Sequence, residues 1–277
     1  LWPNSRLGQE VLGDEEVIKS ISKEAIESYK QKHYTTANMV VAVAGNLDAQ
    51  TLIAKVEKHF GEIGKGRVDE RHAVSRKPAP DKVAMLAKDT NQTHFVIAAR
   101  SFEARHKKDP ALQVLTNILG EGFSSRLFMN VREKKGLAYS VYAVNSAYSD
   151  SGAFEVYAGV NNDKTDAAIE AVLQEFSKVR NELVSQKELQ KAKTQIRGRT
   201  LLSLENNLSA ALRYGGQMAL LGSIVSSEEY LAKIEKVTLE EVQKVAAEIL
   251  APERLRMAII APKPQEAVKK FEQLVRS

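Results

Sequence analysis

The stretch SKEAIESYKQKHYTTANMVVAVAG (residues 22–45) returns in a related form as TLEEVQKVAAEILAPERLRMAIIA (residues 238–261). Three pairs of similar residues lie 216 positions apart (238 − 22, 242 − 26 and 259 − 43): Ser22 and Thr238, Ile26 and Val242, and Val43 and Ile259. Each stretch predicts a Ser- or Thr-capped amphipathic helix, a short polar turn and an apolar strand. A helical pattern follows each strand, so the chain is predicted to carry one helix–strand–helix unit twice.

The two copies differ in what precedes them. The second copy closes a unit that begins near Asp81, so the first unit would begin near position −135 (81 − 216 = −135). We therefore expect about 135 residues of the first unit to lie upstream of Leu1. Leu1 would then be a processed or truncated boundary.

A linker is predicted between the copies. Residues 64–82 are charged, contain Pro78 and Pro80 and lack periodicity. The predicted organisation is the C-terminal part of a first domain over residues 1–66, a linker over 67–82 and a complete second domain over 83–277.

The second domain predicts an α+β fold with a mostly antiparallel sheet packed against long helices. Strand patterns flank a turn at residues 89–92, and AYSVYAVN (138–145) and AFEVYAGV (153–160) predict a hairpin. Helical patterns cover residues 109–119, 123–135, 163–184 and 185–250, and a last strand and helix follow them. The pattern over 185–250 begins with a capping box at Ser185 and Glu188. Hairpin-paired strands followed by long helices argue against a parallel doubly wound sheet.

Two shorter patterns complete the prediction. MVVAVAG (residues 39–45) predicts a buried strand, as does MAIIAP (257–262). RYGG (213–216) predicts a helix break, because glycine weakens a helix interior.

Composition excludes several classes of protein. The chain has no cysteine, which rules out disulfides, thiol catalysis and thiolate metal sites. Its net charge is +5, from 40 basic and 35 acidic residues that are interspersed, and no aromatic residues interleave with its basic clusters, so no nucleic-acid partner is expected. No apolar run approaches the roughly 18–20 residues of a membrane span, and no signal peptide is visible. A cytoplasmic location is the expectation, although composition leaves the compartment open.

Neither histidine nor glycine patterns predict a catalytic centre. No histidine has a second histidine three or four positions away, so no metal site is predicted from His33, His59, His72, His94 and His106. GEGFSSR (residues 120–126) lacks the third glycine of a dinucleotide-binding fingerprint and contains Glu121, which would repel phosphate. It predicts a turn that lets two helices fold back on each other.

Arg132 and Tyr139, in VREKKGLAYSVYA (residues 131–143), are the candidate substrate-binding residues. A cation is favourable in the last turn of a helix and aromatic residues are common in strands, so both have an ordinary structural explanation. The turn at Gly136 would nevertheless bring them to one edge of the fold. A guanidinium and a phenol side by side can donate hydrogen bonds to a peptide carbonyl oxygen.

The same region resembles the second domain of the pitrilysin/insulinase-type zinc metallopeptidases, which include mitochondrial processing peptidase. LGEGFSSRLFMNVREKKGLAYSVYA (residues 119–143) matches that family's glycine-rich turn followed by Ser-Ser-Arg-Leu-Phe and Arg-Glu-Lys-x-Gly-Leu-Ala-Tyr. NSRLGQEVLGDEEVIKSIS (4–22) and HYTTANMVVAVAGNLD (33–48) resemble segments late in the family's first domain. The resemblance covers nearly the whole chain and implies two similar domains joined by a linker.

The resemblance implies zinc in the complete enzyme and none in this chain. The family's His-x-x-Glu-His motif supplies two zinc ligands and a general base. That motif is absent from this sequence and is expected upstream of Leu1. What carries over is a substrate-binding role for Arg132 and Tyr139, facing the zinc site across a chamber.

The sequence therefore predicts the C-terminal portion of a zinc metalloendopeptidase that is inactive alone and acts on peptides or unfolded proteins. Its partner would be a zinc-bearing domain or subunit, in a homodimer or heterodimer. One alternative is a non-catalytic partner or structural subunit of the same family, which a degenerate upstream motif would indicate. Another is a simple peptide-binding module, which predicts tight peptide binding by this chain alone.

Overall fold

The computed structural model describes residues 1–3, 5–68, 71–75, 77 and 79–275. The chain forms two compact units, each made of separate stretches of sequence. Unit 1 comprises Leu1–Pro3, Ser75–Arg197 and Glu228–Ser277. Unit 2 comprises Asn4–Val74 and Gly198–Ser227. Four positions of the predicted linker (69, 70, 76 and 78) lie outside the described residues, as do residues 4, 276 and 277. The predicted division at 66 and 82 stays a prediction.

A five-stranded mixed sheet forms the centre of unit 1, within the described part of the chain. Its strands are β1 (Val83–Ala87), β2 (Gln92–Ser101), β3 (Ala138–Ala147), β4 (Gly152–Asn161) and β5 (Arg256–Ala261), in the order β1-β5-β2-β4-β3. The pairs β3–β4, β4–β2 and β2–β5 are antiparallel, and β1 is parallel to β5. The predicted α+β class with a mostly antiparallel sheet is confirmed.

Most helices of the described residues lie within the regions predicted to be helical, although the predicted region 185–250 is divided among four helices. They are α1 (Glu15–Ser20), α2 (Lys23–His33), α3 (Ala49–Phe60), α4 (Asp109–Gly120), α5 (Thr165–Asn181), α6 (Gln186–Leu204), α7 (Asn207–Leu221), α8 (Ser227–Glu235), α9 (Leu239–Ile249) and α10 (Gln265–Leu274). The predicted capping box at the start of α6 is present, because Ser185 N–H donates to Glu188 Oε2 (2.9 Å) and Glu188 N–H donates to Ser185 Oγ (3.2 Å).

One face of the sheet is buried under helices and forms the core of unit 1. Phe154, Val156, Ala158 and Val160 alternate along β4, and each is fully buried, as the pattern of period two predicts. Helices α4, α5 and α9 pack against this face. The opposite face, which we call the outer face, carries the intervening residues of each strand.

The repeat is visible in the element boundaries. Helix α2 becomes α9 when its first and last residues are moved by 216 positions (23 + 216 = 239; 33 + 216 = 249). Each of the two helices begins at a side-chain cap: Ser22 accepts from the Ala25 N–H and Thr238 accepts from the Glu241 N–H. The second helices, α3 and α10, also begin 216 positions apart (265 − 49).

The two apolar segments of the repeat differ, and here one prediction is wrong. Residues 256–261 form β5, but residues 39–45 form no strand, and no strand pairs with them among the described residues. Val40, Val41 and Val43 are 43%, 46% and 48% exposed, whereas Met257 and Ile259 are 2% exposed. An apolar segment becomes a buried strand only when neighbouring strands accept its hydrogen bonds.

The predicted helix break at RYGG is also wrong, because α7 runs through residues 213–216. Gly215 has a packing role instead. A Cβ added at Gly215 would lie 2.6 Å from the Ala42 Cβ, closer than carbon atoms can approach, so the segment containing Ala42 contacts the helix at its glycine. In the described residues, no helix is long and apolar enough to cross a membrane.

Candidate functional site

The candidate site is the corner at which the helical segment after α4 turns into β3. The segment begins with α-helical residues 126–127 and continues as a π-helical turn over Phe128–Glu133, where the sequence predicts an ordinary helix. The Lys134 N–H donates to the Met129 carbonyl, five residues back, at 3.0 Å. An extra residue in a helical turn rotates the side chains that follow it, and such turns are frequent at functional sites.

Arg132 lies in this π-helical turn, and its side chain is exposed. Its guanidinium carbon lies 4.9 Å from the centroid of the Phe128 ring, in a cation–π contact that orients the side chain. Within the part of the chain that the structure describes, the guanidinium has no hydrogen-bond or ion-pair partner. Its five N–H donors are therefore free to bind a ligand.

Tyr139 is the extra residue of a β-bulge. Ala138 pairs with Val160 and Ser140 pairs with Gly159, so two steps along β3 correspond to one step along β4. A bulge of this kind redirects a side chain and is common beside binding sites. Tyr139 is 60% exposed, and no described residue makes a hydrogen bond with its hydroxyl group.

Gly136 allows the corner to form. Its φ is +58°, a left-handed conformation that glycine adopts without steric cost. The Gly136 N–H donates to the Arg132 carbonyl (3.0 Å), and Lys164 Nζ donates to the Gly136 carbonyl (3.0 Å). The turn is thus held in one conformation between the two candidate residues.

An aromatic row lies on the outer face, beginning at Tyr142, and was missed in the sequence. The Tyr142 ring stacks on the Tyr157 ring (centroids 5.0 Å apart), and His94 Nδ1 lies 2.7 Å from the Tyr157 hydroxyl oxygen. Burial raises the pKa of Tyr157, and the nearby Tyr142 adds to the shift, so Tyr157 stays protonated at neutral pH. The strand patterns could have indicated this row, because Tyr142 and Tyr157 each lie between two residues that are buried in their strand.

The glycine-rich turn before the corner is held by a close contact between α4 and β3 and by an ion pair. A Cβ on Gly120 would lie 2.1 Å from the Ala143 backbone nitrogen, so this glycine permits α4 to contact β3. Arg126, at the start of the helical segment, donates to both carboxylate oxygens of Glu188 (2.7 and 3.1 Å). Burial alone would raise the pKa of Glu188, but the hydrogen bonds from Arg126 and Ser185 outweigh burial and lower it to about 2.

Two exposed donors of different chemistry thus lie on either side of the turn at Gly136. A charged guanidinium and a neutral phenol can both donate to an oxygen that carries partial or full negative charge. Both groups can donate hydrogen bonds, and the described residues of this corner include no histidine and no group of side chains able to hold a metal ion.

Comparison with known proteins identifies the family of the chain from a family model and from individual relatives. A family model described as the peptidase M16 inactive domain matches residues 20–196. An uncharacterized zinc protease of Bacillus subtilis (strain 168) is 33% identical over 262 residues, which are 94% of this chain and 63% of the relative. An uncharacterized zinc protease of Mycobacterium tuberculosis (strain ATCC 25618 / H37Rv) is 34% identical over 265 residues, 95% of this chain and 60% of the relative. The chain spans less than two thirds of the length of these relatives.

Solved structures share the fold. The peptidase M16 inactive domain from Pseudomonas fluorescens superposes with a TM-score of 0.84 at 22% identity, covering 95% of this chain and 63% of that one. A protease from Helicobacter pylori gives 0.78 at 21% identity, covering 91% and 61%. A chain of complex III2 from Candida albicans, with Inz-5 bound, gives 0.83 at 17% identity, covering 98% and 67%.

The described residues do not fit the zinc that the relatives' names imply. They contain no group of three histidine, aspartate or glutamate side chains able to hold a metal ion. His94 is hydrogen-bonded to Tyr157, and the His106 ring stacks on Phe102 with centroids 4.4 Å apart. The family model that matches residues 20–196, together with relatives that are 33% and 34% identical, shows that the chain belongs to the peptidase M16 inactive-domain family.

Proposed function

We propose that this chain is the C-terminal portion of a zinc metalloendopeptidase of the pitrilysin/insulinase type. In this proposal residues 1–66 end a first domain, 67–82 link the domains and 83–277 form the second domain. The names of the relatives support the proposal, since each is described as a zinc protease and is longer than this chain. The zinc would be held outside this chain, in the remaining part of the protein or in a partner subunit of a homodimer or heterodimer.

The proposed role of the second domain is to hold a peptide or an unfolded protein by its backbone. Arg132 and Tyr139 would donate to a substrate carbonyl oxygen as negative charge develops on it. The observation that carries this role is the pair of backbone irregularities, a π-helical turn at Arg132 and a β-bulge at Tyr139, which leave both side chains exposed and unpaired among the described residues. A donor of this kind contributes ~2–4 kcal/mol to the transition state.

Steady-state kinetics of the full-length protein test this role. Removing the hydroxyl group by Tyr139→Phe, or the guanidinium by Arg132→Ala, should lower kcat by about 10²–10³, which is the scale of losing one preorganised donor. Arg132→Lys should restore only part of the activity, because an ammonium group cannot reproduce the planar guanidinium. Melting curves should show little change for each variant.

A matched control separates this effect from general damage to the fold. Tyr148 follows the far end of β3, about 30 Å along the strand from Tyr139 at ~3.3 Å per residue. Tyr148→Phe should keep the kcat of the unmodified protein. Normal turnover in Tyr139→Phe would contradict the proposal.

A non-catalytic partner or structural subunit is the alternative function. The inactive-domain description of the matched family suits this alternative as well. The sequence preceding Leu1 distinguishes the two proposals: an intact His-x-x-Glu-His motif there supports the peptidase, and a degenerate motif supports the partner subunit.

A further inference from the structure

Positive charge surrounds the turn at Gly136. Arg132, Lys134 and Lys135 fall within four consecutive positions, and each of them is exposed. Lys164, from the loop before α5, donates to the Gly136 carbonyl oxygen (3.0 Å) and so brings a fourth cation to the same turn. We call Lys134, Lys135 and Lys164 the lysine cluster.

The lysine cluster has no carboxylate partner among the described residues. Lys134 Nζ donates to Asn130 Oδ1 (3.1 Å), and Lys135 Nζ donates to Gln174 Oε1 (3.3 Å). The acceptor of Lys164 is a backbone carbonyl. A neutral acceptor satisfies a donor but does not cancel its charge, so the positive potential of the three ammonium groups extends into the solvent around the corner.

The neighbouring helix α5 directs its carboxylate away from the lysine cluster. Glu170, one turn before Gln174, forms an ion pair with Lys270 of α10 at 3.1 Å and accepts a hydrogen bond from Gln174 Nε2 at 3.4 Å. Helix α5 therefore presents an amide, and not a carboxylate, to the cluster. With Glu133 as the one acidic residue between positions 131 and 137, the corner has four positive charges against one negative charge.

Helix stability explains two of these lysines but not the third. Lys134 and Lys135 follow a helical turn, and the C-terminal end of a helix favours cations. Lys164 occupies the N-cap of α5, where the partial positive charge of the helix end disfavours a cation. Its acidic neighbours Asp163 and Asp166 line a separate polar cavity beside α10. Lys164 is therefore placed by its contact with the turn at the corner, against the preference of the helix end.

We propose that the lysine cluster selects substrates that carry a carboxylate close to the carbonyl group held by Arg132 and Tyr139. This inference rests on the substrate-binding role proposed for that pair. The carboxylate is either an aspartate or glutamate side chain or the C-terminus of the peptide. Because exposed charges act over roughly 8–10 Å at physiological ionic strength, the cluster would attract such a group without one fixed geometry.

Binding of labelled peptides to the full-length protein tests the proposal. The probes are fluorescein-labelled peptides of alanine and serine with Glu-Glu, Gln-Gln or Lys-Lys at the centre and an amidated C-terminus. Fluorescence anisotropy is measured with a chelator present, so that cleavage does not consume the probes. The Glu peptide should bind at least about fivefold more tightly than the Gln peptide, which is the scale of a few exposed charge pairs, and the Lys peptide should bind most weakly.

Variants of the lysines show whether the cluster causes this preference. The double variant Lys134→Gln/Lys135→Gln should bind the Glu and Gln peptides with affinities that differ by less than about twofold, and Lys134→Glu/Lys135→Glu should favour the Lys peptide. Lys88→Gln is the matched control and should keep the preference. Lys88 is an exposed lysine directly after β1, four strands from β3, or about 19 Å at ~4.8 Å per strand. Melting curves check that each variant is folded.

The outcomes separate this inference from the proposed function. Arg132→Ala should weaken the binding of all three peptides, and unchanged binding would contradict the substrate-binding role itself. A Gln peptide with a free C-terminal carboxylate identifies the source, because tighter binding than its amide assigns the group to the C-terminus. Equal affinity for the Glu and Gln peptides, with no effect of the C-terminal carboxylate, would overturn the inference alone. Tighter binding of a single-stranded oligonucleotide than of the Glu peptide would overturn it in favour of a nucleic-acid surface.

Discussion

The substrate-binding role proposed for Arg132 and Tyr139 would come at little cost to stability. Both are exposed, and in the described structure their polar atoms make no internal hydrogen bonds. Tyr139→Phe should therefore change the free energy of unfolding by less than about 0.5 kcal/mol. If Arg132 served only to end a helix, Arg132→Ala would cost roughly 0.3–1 kcal/mol of stability and leave kcat unchanged. Thermal unfolding measured beside kcat separates the two explanations.

Glu188 makes stability depend on pH. Its pKa is lowered to about 2 in the folded chain, against an ordinary value of 4.5, so its ion pair with Arg126 stabilises the fold at neutral pH. The contribution is fully present above about pH 4.5 and is lost as the pH falls towards about 2, because the unfolded chain binds the proton first.

Unfolding measured between pH 6 and pH 2 checks this linkage. The unmodified chain should lose more stability over that range than Glu188→Gln, which cannot titrate at this position. Glu182→Gln provides the control, since Glu182 is an exposed glutamate six residues before Glu188 in the chain. Identical profiles for the unmodified chain and Glu188→Gln would contradict the prediction.

Helix α7 offers a matched pair of neighbouring glycines. A Cβ on Gly216 would meet nothing within 4 Å, whereas one on Gly215 would lie 2.6 Å from the Ala42 Cβ. Gly216→Ala should stabilise the helix by up to ~1 kcal/mol through helix propensity, and Gly215→Ala should lose this gain to the steric clash. Hydrogen exchange of α7 amides measures both effects, and stronger protection in both variants would show that Gly215 does not make the close contact.

Helices and strands were predicted correctly where the sequence signal lies within the segment itself, and wrongly where the structure depends on distant residues. The bounds of α2 and α9 could be predicted because caps and apolar periodicity lie within the segments themselves. The role of Gly215 could not, since Ala42 lies 173 positions away in the chain (215 − 42). Residues 39–45 have the composition of a strand, yet a strand also needs partners for its backbone hydrogen bonds.

The candidate site was predicted in part for the same reason. The sequence placed Arg132 at the end of a helix and Tyr139 at the start of a strand, and the structure has both there. The bulge was not predicted, because it becomes visible only when burial is known. Ala138 and Val141 are both buried although they lie three positions apart, whereas Val141 and Ala143 follow the spacing of two that a regular strand has. The π-helical turn has no sequence signal comparable to a cap.

At the scale of the whole molecule, the chain should bind no stoichiometric zinc and cleave no peptide by itself. None of its histidines lies three or four positions from another, and the described residues hold no group of three metal-binding side chains. Elemental analysis of the purified chain, beside peptide cleavage with and without a chelator, measures both properties. One tightly bound zinc per chain together with chelator-sensitive cleavage would contradict the prediction.

The two halves of the repeat should also differ in stability, and α2 and α9 provide a matched comparison. Each helix has 11 residues and a Ser or Thr cap, but α9 buries Val242, Val245, Ala246 and Ile249, whereas α2 buries no residue. Among described residues 5–68, only Thr35 is buried, so the apolar side chains there contribute little to stability.

Hydrogen exchange of this chain as a dilute monomer should therefore show rapid exchange in α2 and strong protection in α9, and more generally weaker protection over residues 1–66 than over 81–277. In the full-length protein the protection of α2 should rise, because the rest of the proposed first domain would cover the apolar face of this helix. Protection of α9 should stay nearly constant between the two forms and serves as the internal control. Equal protection of α2 and α9 in the dilute monomer would show that the first half of the repeat is stable without its remaining residues.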